Sequence, residues 1–380
     1  MVRKIVSGII SNLKNSIGWK TNRKIVVFSV DDYGNVRLNS AQARNNMDEA
    51  GMKTYSRFDA LDTLETTQDL EQLFEVLSSV KDKNGRHAVF TPFVLPCNID
   101  FEKMEAEDFR EFHFETLPNT YKKLSIQQPE AYTGTWNLWK EGIDKGLLKP
   151  EFHGREHLNL KVFNDKLSKR DPQLLTALKN KSYTSISDEE YPTMSAFAAL
   201  DFWEVTENED LKPILAEGIA LFEEVYGYRS IYFTPPVFSI HHSLFQTLKD
   251  NGIQFLDLAL QRNEHQGFNV YKKSLNYIGK KTKEGLTIMV RNVVFEPTED
   301  RGIDWVDFTM KQIETAFRWN KPAIISSHRV NFCGHINPKN REKGLADLKR
   351  LLQQIVKKWP DVEFMSAAEM AMSLKDKRNV

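Results

Sequence analysis

Two adjacent carboxylates, two histidines four residues apart and a histidine closing an apolar run are the residues whose types and spacing fit chemistry. Asp31 and Asp32 follow the run Ile25 to Val30, just before Tyr33-Gly34 breaks the pattern. Like charges so close raise one another's pKa, and neither is cheaply solvated beside a core, so a bound cation would relieve the cost. His153 and His157 would share one face of a helical turn, near enough to hold one ion. With Asp32 they make two nitrogens and one oxygen, a zinc-type catalytic set that leaves positions for water and substrate. Pro150 ahead of the pair suggests that it opens a helix. His328 ends the apolar stretch Ala323 to Ser327 and precedes Arg329, Asn331, Cys333, Gly334 and His335. An imidazole there, with an ordinary pKa near 6.5, can protonate a leaving amine or stabilise an oxyanion. Each group also has a plainer reading: an Asp-rich turn, an incidental histidine pair, a strand-end histidine capping a turn.

These residues need rigid elements behind them. Ile25 to Val30 is short, apolar and rich in β-branched residues, the pattern of a strand buried on both faces. Further strands are expected at His87 to Val94, halted at Pro92; at Ser230 onward, halted at Pro235-Pro236; and at Gly252 to Asp257, Leu286 to Val294, Ala323 to Ser327 and Val362 to Met365. Helices are expected over Ser40 to Gly51, Gln68 to Ser79, Leu211 to Tyr226, His242 to Asp250, Asp304 to Trp319, Leu345 to Val356 and Ala367 to Leu374, with mixed helical signals from Leu160 to Leu178. Asn98 to Gly146 and Ser185 to Phe202 read as rim insertions. Trp136 and Trp139, at helical spacing in the first of these, fit core packing better than sugar stacking. Asp59 and Asp62 read as solvated or capping carboxylates in a connecting segment. Strand and helix units recurring at roughly 25 to 60 residues favour a parallel sheet with helical crossovers. A closed barrel and an open doubly wound sheet both fit, and the number of polar strand ends tips the reading towards a barrel.

Composition narrows the class. The chain has 380 residues, with 52 acidic and 52 basic side chains and no long basic run, so its overall field draws it neither to nucleic acid nor to an anionic membrane. No glycine-rich phosphate loop or dinucleotide fingerprint follows any expected strand. Two cysteines, Cys97 and Cys333, are too few for a disulfide framework and lean towards a reducing, cytoplasmic compartment. No stretch approaches the length of a bilayer span. Residues 1–20 read as an amphipathic helix, with Ile5, Ile9, Leu13 and Ile17 on one side, that packs on the body or touches a membrane surface peripherally.

Taken together, these motifs resemble those of the polysaccharide deacetylases, the NodB-homology or family 4 carbohydrate esterases. Phe28-Ser29-Val30-Asp31-Asp32-Tyr33-Gly34 is similar to the family's Thr-Phe-Asp-Asp-Gly signature, His153 and His157 to its His-x-x-x-His metal motif, and Ile325-Ser326-Ser327-His328 to its late strand ending in a histidine. The resemblance implies a distorted (β/α) barrel of seven or eight strands with rim insertions, spanning residues 21–380 as a single domain, and a bacterial origin. It implies a divalent cation, zinc first with nickel, cobalt or iron able to take the same ligands, held by Asp32, His153 and His157. Asp31 would be the general base, His328 the general acid, and a backbone N–H of Tyr33 or Gly34 an oxyanion donor. The implied reaction is removal of an acetyl group, N-acetyl before O-acetyl, from an amino sugar or surface polysaccharide. One departure stands out: Phe233-Thr234-Pro235-Pro236 has Thr234 where the family has the arginine that orients its aspartate. That work would pass to Arg37, Arg155, Arg229, Arg291 or Arg329, with Arg155 and Arg291 ranked first.

Three rival readings remain. Paired carboxylates, Asp31 with Glu151 or Glu296, would suit a glycoside hydrolase. Two histidines and one carboxylate also serve mononuclear iron oxygenases. The missing arginine at Thr234 would suit a carbohydrate-binding protein on a decayed scaffold.

Overall fold

The computed structural model describes residues 12–191 and 194–375. Its centre is a nine-stranded parallel sheet. In chain order the strands are β1 (Ile25–Tyr33), β2 (Phe90–Val94), β3 (Glu151–Phe152), β4 (Tyr232–Phe233), β5 (Phe255–Asp257), β6 (Thr287–Met289), β7 (Val293–Val294), β8 (Ala323–His328) and β9 (Glu363–Phe364). Their order across the sheet is β6-β5-β4-β3-β2-β1-β8-β7, with β9 paired to the start of β1. The two ends of that path, β6 and β7, are consecutive in the chain and separated only by Val290, Arg291 and Asn292. The order therefore curls back on itself as a distorted barrel, in which β1 to β6 follow one another side by side, β7 lies beside β8, and the seam between β6 and β7 is closed by covalent chain.

The reason for the barrel is visible in β1. All nine of its residues are buried, and it pairs in parallel with β8 on one side and β2 on the other. A strand covered on both faces and both edges must be apolar along most of its length, as Ile25 to Val30 is. Helices pack outside, and their ends are set by local sequence. Thr66 and Asp69 form a reciprocal capping box at the head of Thr67–Ser78. Asp304 caps Trp305–Arg318, and Gly227, at φ 75°, stops Asn208–Tyr226.

Several expectations need correction. β2 runs through Pro92 to Val94, because the ladder is already irregular there: the register shifts on β1 between Val30 and Tyr33, opposite Pro92 and Val94, so the missing N–H breaks nothing regular. Leu286 to Val294 forms two short strands with a break at Arg291. Helix Pro338–Lys358 begins seven residues before Leu345, since Asn337 caps it and Pro338 suits its first turn. The antiparallel pair Gln261–His265 and Tyr271–Leu275 was not anticipated, because Gln-Arg-Asn-Glu-His and Tyr-Lys-Lys-Ser-Leu are mostly polar and carry no apolar alternation to mark a strand. Asn98 to Gly146 holds more regular structure than a rim insertion: a short antiparallel pair, Cys97–Ile99 with Phe114–Thr116, and four helices. Trp139 in the last of these is fully buried in the core, donating to Glu65 and Tyr121, and half-buried Trp136 packs against that core through Tyr121 and Tyr226.

Of the N-terminal amphipathic segment, Ile5 and Ile9 lie outside the described residues. In its described part Asn12 and Asn15 face the body, bonded to Trp319 and Asn292, while Leu13 and Ile17 are exposed. Among the described residues no helix is long and apolar enough to cross a membrane. Both cysteines are free and buried.

Candidate metal centre and catalytic cleft

The two aspartates sit on a distortion of β1. Val30 pairs with Pro92 and Tyr33 with Val94, so β1 carries one residue more than β2 across this stretch. That is a β-bulge, and Asp32 takes up the extra residue in the left-handed region at φ 72°. In a regular strand neighbouring side chains point to opposite faces. The bulge overrides that alternation, and both carboxylates line one cleft of about 280 Å³ at the C-terminal end of the strands.

Asp31 is held by an arginine. Arg291 makes a two-pronged contact, Nη1 to Oδ2 at 2.7 Å and Nη2 to Oδ1 at 2.8 Å, and its Nε donates to Asp257 Oδ2 at 2.7 Å. Arg291 occupies the break between β6 and β7, its guanidinium 5.0 Å from the Phe93 ring centre and 5.1 Å from that of Phe238. Thr234 accepts from Arg291 Nη2 at 3.0 Å and donates to Asp257 at 3.1 Å. The cation absent at position 234 therefore arrives from a different strand. Burial opposes the charge on Arg291, but Asp31 and Asp257 outweigh it and raise its pKa. None of the other four candidate arginines pairs with Asp31. Arg155, ranked beside Arg291, is bound to Glu156 at 2.5 Å and to Glu217, and does not serve Asp31. Its backbone follows Gly154 away from the cleft and packs on Gly218. Arg329 is buried against Asp62 at 2.9 Å and Glu65 at 3.1 Å, Arg229 pairs with Glu223, and Arg37 approaches Asp59. Asp59 and Asp62 are accordingly buried ionic partners rather than solvated caps.

Asp32, His153 and His157 come together, their candidate ligand atoms all within 4.8 Å of one another and all three residues buried. Asp32 Oδ1 lies 3.5 Å from His153 Nε2 and 3.2 Å from His157 Nε2. Burial opposes ionisation of Asp32; with protons on the facing nitrogens the two imidazoles overcome it and hold its pKa well below the usual range, and without those protons a cation must do the same. The histidines are not on a helix. Glu151–Phe152 is followed by a loop in which Gly154 has φ 121°, a conformation no helix contains, and the next helix starts at Leu160 behind its cap Asn159. The rings meet at 5.4 Å between centres through this loop instead.

His153 supplies the test of fit for a cation. Its Nδ1 lies 2.7 Å from the carbonyl oxygen of Thr234, to which it can only donate, so the neutral ring carries its lone pair on Nε2. That Nε2 is buried, has no hydrogen-bond partner among the described residues and faces the Asp32 carboxylate. A lone pair opposite a carboxylate is repulsive unless a cation lies between them, and a carbonyl behind the distal nitrogen is how metal-ligating histidines are oriented. The donor set fits a divalent ion.

His328 stands beside Asp31 in the parallel register of β1 and β8. Its Nδ1 is 2.7 Å from Glu296 Oε1, and Phe58 meets the ring edge-on at 5.2 Å. Glu296 is fixed in turn by Arg57 and by Asn331 Nδ2 at 2.8 Å. Burial disfavours the imidazolium, but Glu296, with Asp32 and Asp31 behind it, raises the His328 pKa to about 9. One cleft thus brings together three candidate cation ligands, a carboxylate clamped by an arginine and an imidazole whose pKa is raised by its carboxylate partner.

Sequence reasoning did not single out Asp257 or the pairing of Glu296 with His328. Asp257 had a usable signal, an acidic residue closing an apolar strand just as Asp31 does. Glu296 was named only as a carboxylate partner for Asp31, and nothing local ties it to His328, 32 residues away. Two other expectations are narrowed by geometry. Of the two backbone donors expected for an oxyanion, Tyr33 and Gly34, the Gly34 N–H is directed at buried Glu65 Oε2, at 3.4 Å. Glu151 is bonded to Ser230, Ile231 and Tyr232, its pKa raised by burial to about 7, and it does not line the cleft.

No protein-family model matches the chain, and no curated protein matches it. Solved structures do. A probable polysaccharide deacetylase from Pseudomonas aeruginosa PAO1 is 9% identical over 94% of this chain and 93% of its own, with a TM-score of 0.46. The α-amylase AmyC from Thermotoga maritima is 12% identical over 94% of this chain and 76% of its own, with a TM-score of 0.47. A 4-α-glucanotransferase from Thermococcus litoralis is 12% identical over 93% of this chain but only 41% of its own, with a TM-score of 0.47. These likenesses carry no argument about the site, whose reading rests on its own residues.

Proposed function

We propose that the protein is a metal-dependent hydrolase that removes an acetyl group, N-acetyl in the first instance, from an amino sugar. The observation that carries this reading is the convergence on one cleft of Asp31 in the grip of Arg291, the triad Asp32, His153 and His157, and His328 on Glu296. Two nitrogens and one oxygen suit zinc first. A divalent ion on the triad would acidify a water and polarise an acyl oxygen. The chain's own residues do the rest. Asp31 accepts the proton of the attacking water, and the two prongs of Arg291 fix which lone pair it presents. His328 donates a proton to the departing amine, which cannot leave unprotonated, while Glu296 holds the opposite ring nitrogen and keeps the imidazolium charged. Phe58, Phe197 and Phe238 supply flat apolar walls for a sugar ring. The paired-carboxylate alternative loses support, because Glu151 is off the cleft and Glu296 is committed to His328 and Arg57.

The direct test is acetate release from N-acetylhexosamine oligomers, peptidoglycan fragments and acetyl esters by protein of known metal content. Its pH profile carries a further expectation. A general acid with a raised pKa is competent below that value, so amide hydrolysis should fall as pH rises through about 9, or somewhat lower once a neighbouring divalent ion works against the imidazolium. Glu296→Gln removes the carboxylate that raises this pKa and should move the basic limb down towards the ordinary histidine value. A limb unmoved in Glu296→Gln would show that His328 is not the group titrating.

A further inference from the structure

We propose that Arg37 recognises an anionic substituent of the substrate, a carboxylate or a phosphate on the sugar that bears the acetyl group or on its neighbour. The substrate class is then an acidic acetylated glycan; this rests on the reading of the cleft as a deacetylase site.

Arg37 lines the same cleft as Asp31, Asp32 and His328. The cleft's other fixed cation is committed, since His328 is held by Glu296, and Arg291 behind it is held by Asp31 and Asp257. Arg37 is not equally matched. Its contact with Asp59 Oδ1 is a long 3.5 Å, and that oxygen already accepts from Thr184 at 2.6 Å and from the Ser185 N–H at 3.3 Å, with Ser56 on the other oxygen at 2.7 Å. Meanwhile Arg37 Nε is buried without a hydrogen-bond partner among the described residues. A buried donor left unmade is costly unless something fills it.

The guanidinium is also pre-set for an anion. It lies 4.0 Å from the Phe197 ring centre and 5.3 Å from that of Phe58, which hold its plane and displace water from its faces. Its side chain is only 12% exposed, so an incoming carboxylate or phosphate would meet a nearly desolvated planar fork, where charge-assisted pairing is strongest. Phe197 and Ser195 lie within residues 194–202, so the stretch that shapes this wall of the cleft also positions the cation.

The test measures binding without turnover. Glucuronate, glucose 6-phosphate and neutral methyl glucoside are titrated calorimetrically into wild type, Arg37→Met and Arg37→Lys, each with the divalent-ion site loaded and stripped. Glucuronate or glucose 6-phosphate should bind wild type about 10- to 100-fold tighter than the neutral sugar, and the preference should weaken with salt and disappear in Arg37→Met. Arg37→Lys should keep part of it, having the charge without the fork. The stronger of the two charged probes tells carboxylate from phosphate. Equal binding of charged and neutral sugars, no measurable binding of either charged probe, or a preference that survives in Arg37→Met would each overturn the assignment. If Arg37→Met does not fold, Arg37→Lys and the salt dependence of wild type decide. An Arg37-dependent preference in a protein that releases no acetate would retain this inference and sink the deacetylase reading, so the two fail separately.

Discussion

His153→Ala should lose the divalent ion and acetate release together, and Asp32→Ala should do the same. Each removes one of three protein ligands from a buried site, and two ligands do not hold an ion against water. Asp31→Asn and His328→Ala should instead keep the ion while slowing amide hydrolysis by roughly 10²- to 10⁴-fold, the usual worth of a positioned proton-transfer group. The difference between the two sets is the informative result, and elemental analysis of each purified variant beside its acetate-release rate reads it. Substrate choice sharpens it further. An activated acetyl ester expels a stable alkoxide and should tolerate His328→Ala far better than an amide, whose nitrogen needs the proton, whereas Asp31→Asn should slow both. Full activity in Asp31→Asn and His328→Ala would show that the proton-transfer roles belong to other residues. Stoichiometric metal in His153→Ala would place the ion elsewhere.

Arg291→Met should be among the most damaging single substitutions in the chain. Arg291 is the common partner of two buried carboxylates, Asp31 and Asp257, with side-chain exposures of 4%, 5% and 0%. Leaving buried charge without its partner typically costs about 3–5 kcal/mol, which urea unfolding would register directly. The same change frees Asp31 to rotate, so kcat should fall in whatever fraction folds. Arg291→Lys keeps one charge but cannot span both prongs on Asp31 and the bond to Asp257, and should recover stability only in part. The double variant Arg291→Met with Asp257→Asn separates the two jobs. Neutralising Asp257 removes one of the stranded carboxylates and should return a good part of the stability, while Asp31 stays unheld and activity stays low. Activity that returned along with stability would mean that Arg291 acts only as scaffold.

The types of the site residues and the reason they belong at a site were legible in the chain. Asp31 and Asp32 close an apolar strand, and His328 closes another, because a strand buried on both faces must be apolar until it reaches the barrel's mouth, where polarity becomes affordable. The repeating strand and helix units carried the parallel sheet for the same reason, though not its closure. Burial and strand ends are local properties, written within about ten residues of sequence. What the sequence left open involved distance or backbone geometry. A spacing of four fits a helix or a loop equally, and it took Gly154 at φ 121° to make it a loop. Alternation would have sent Asp31 and Asp32 to opposite faces, and the bulge with Asp32 at φ 72° brought them to one cleft. Of five candidate arginines, Arg291 reaches Asp31 across 260 residues, because the break between β6 and β7 falls where the ring of strands closes. Such a pairing leaves no local pattern: any arginine near a strand end could have made it, and only the closing of the barrel decided which one does.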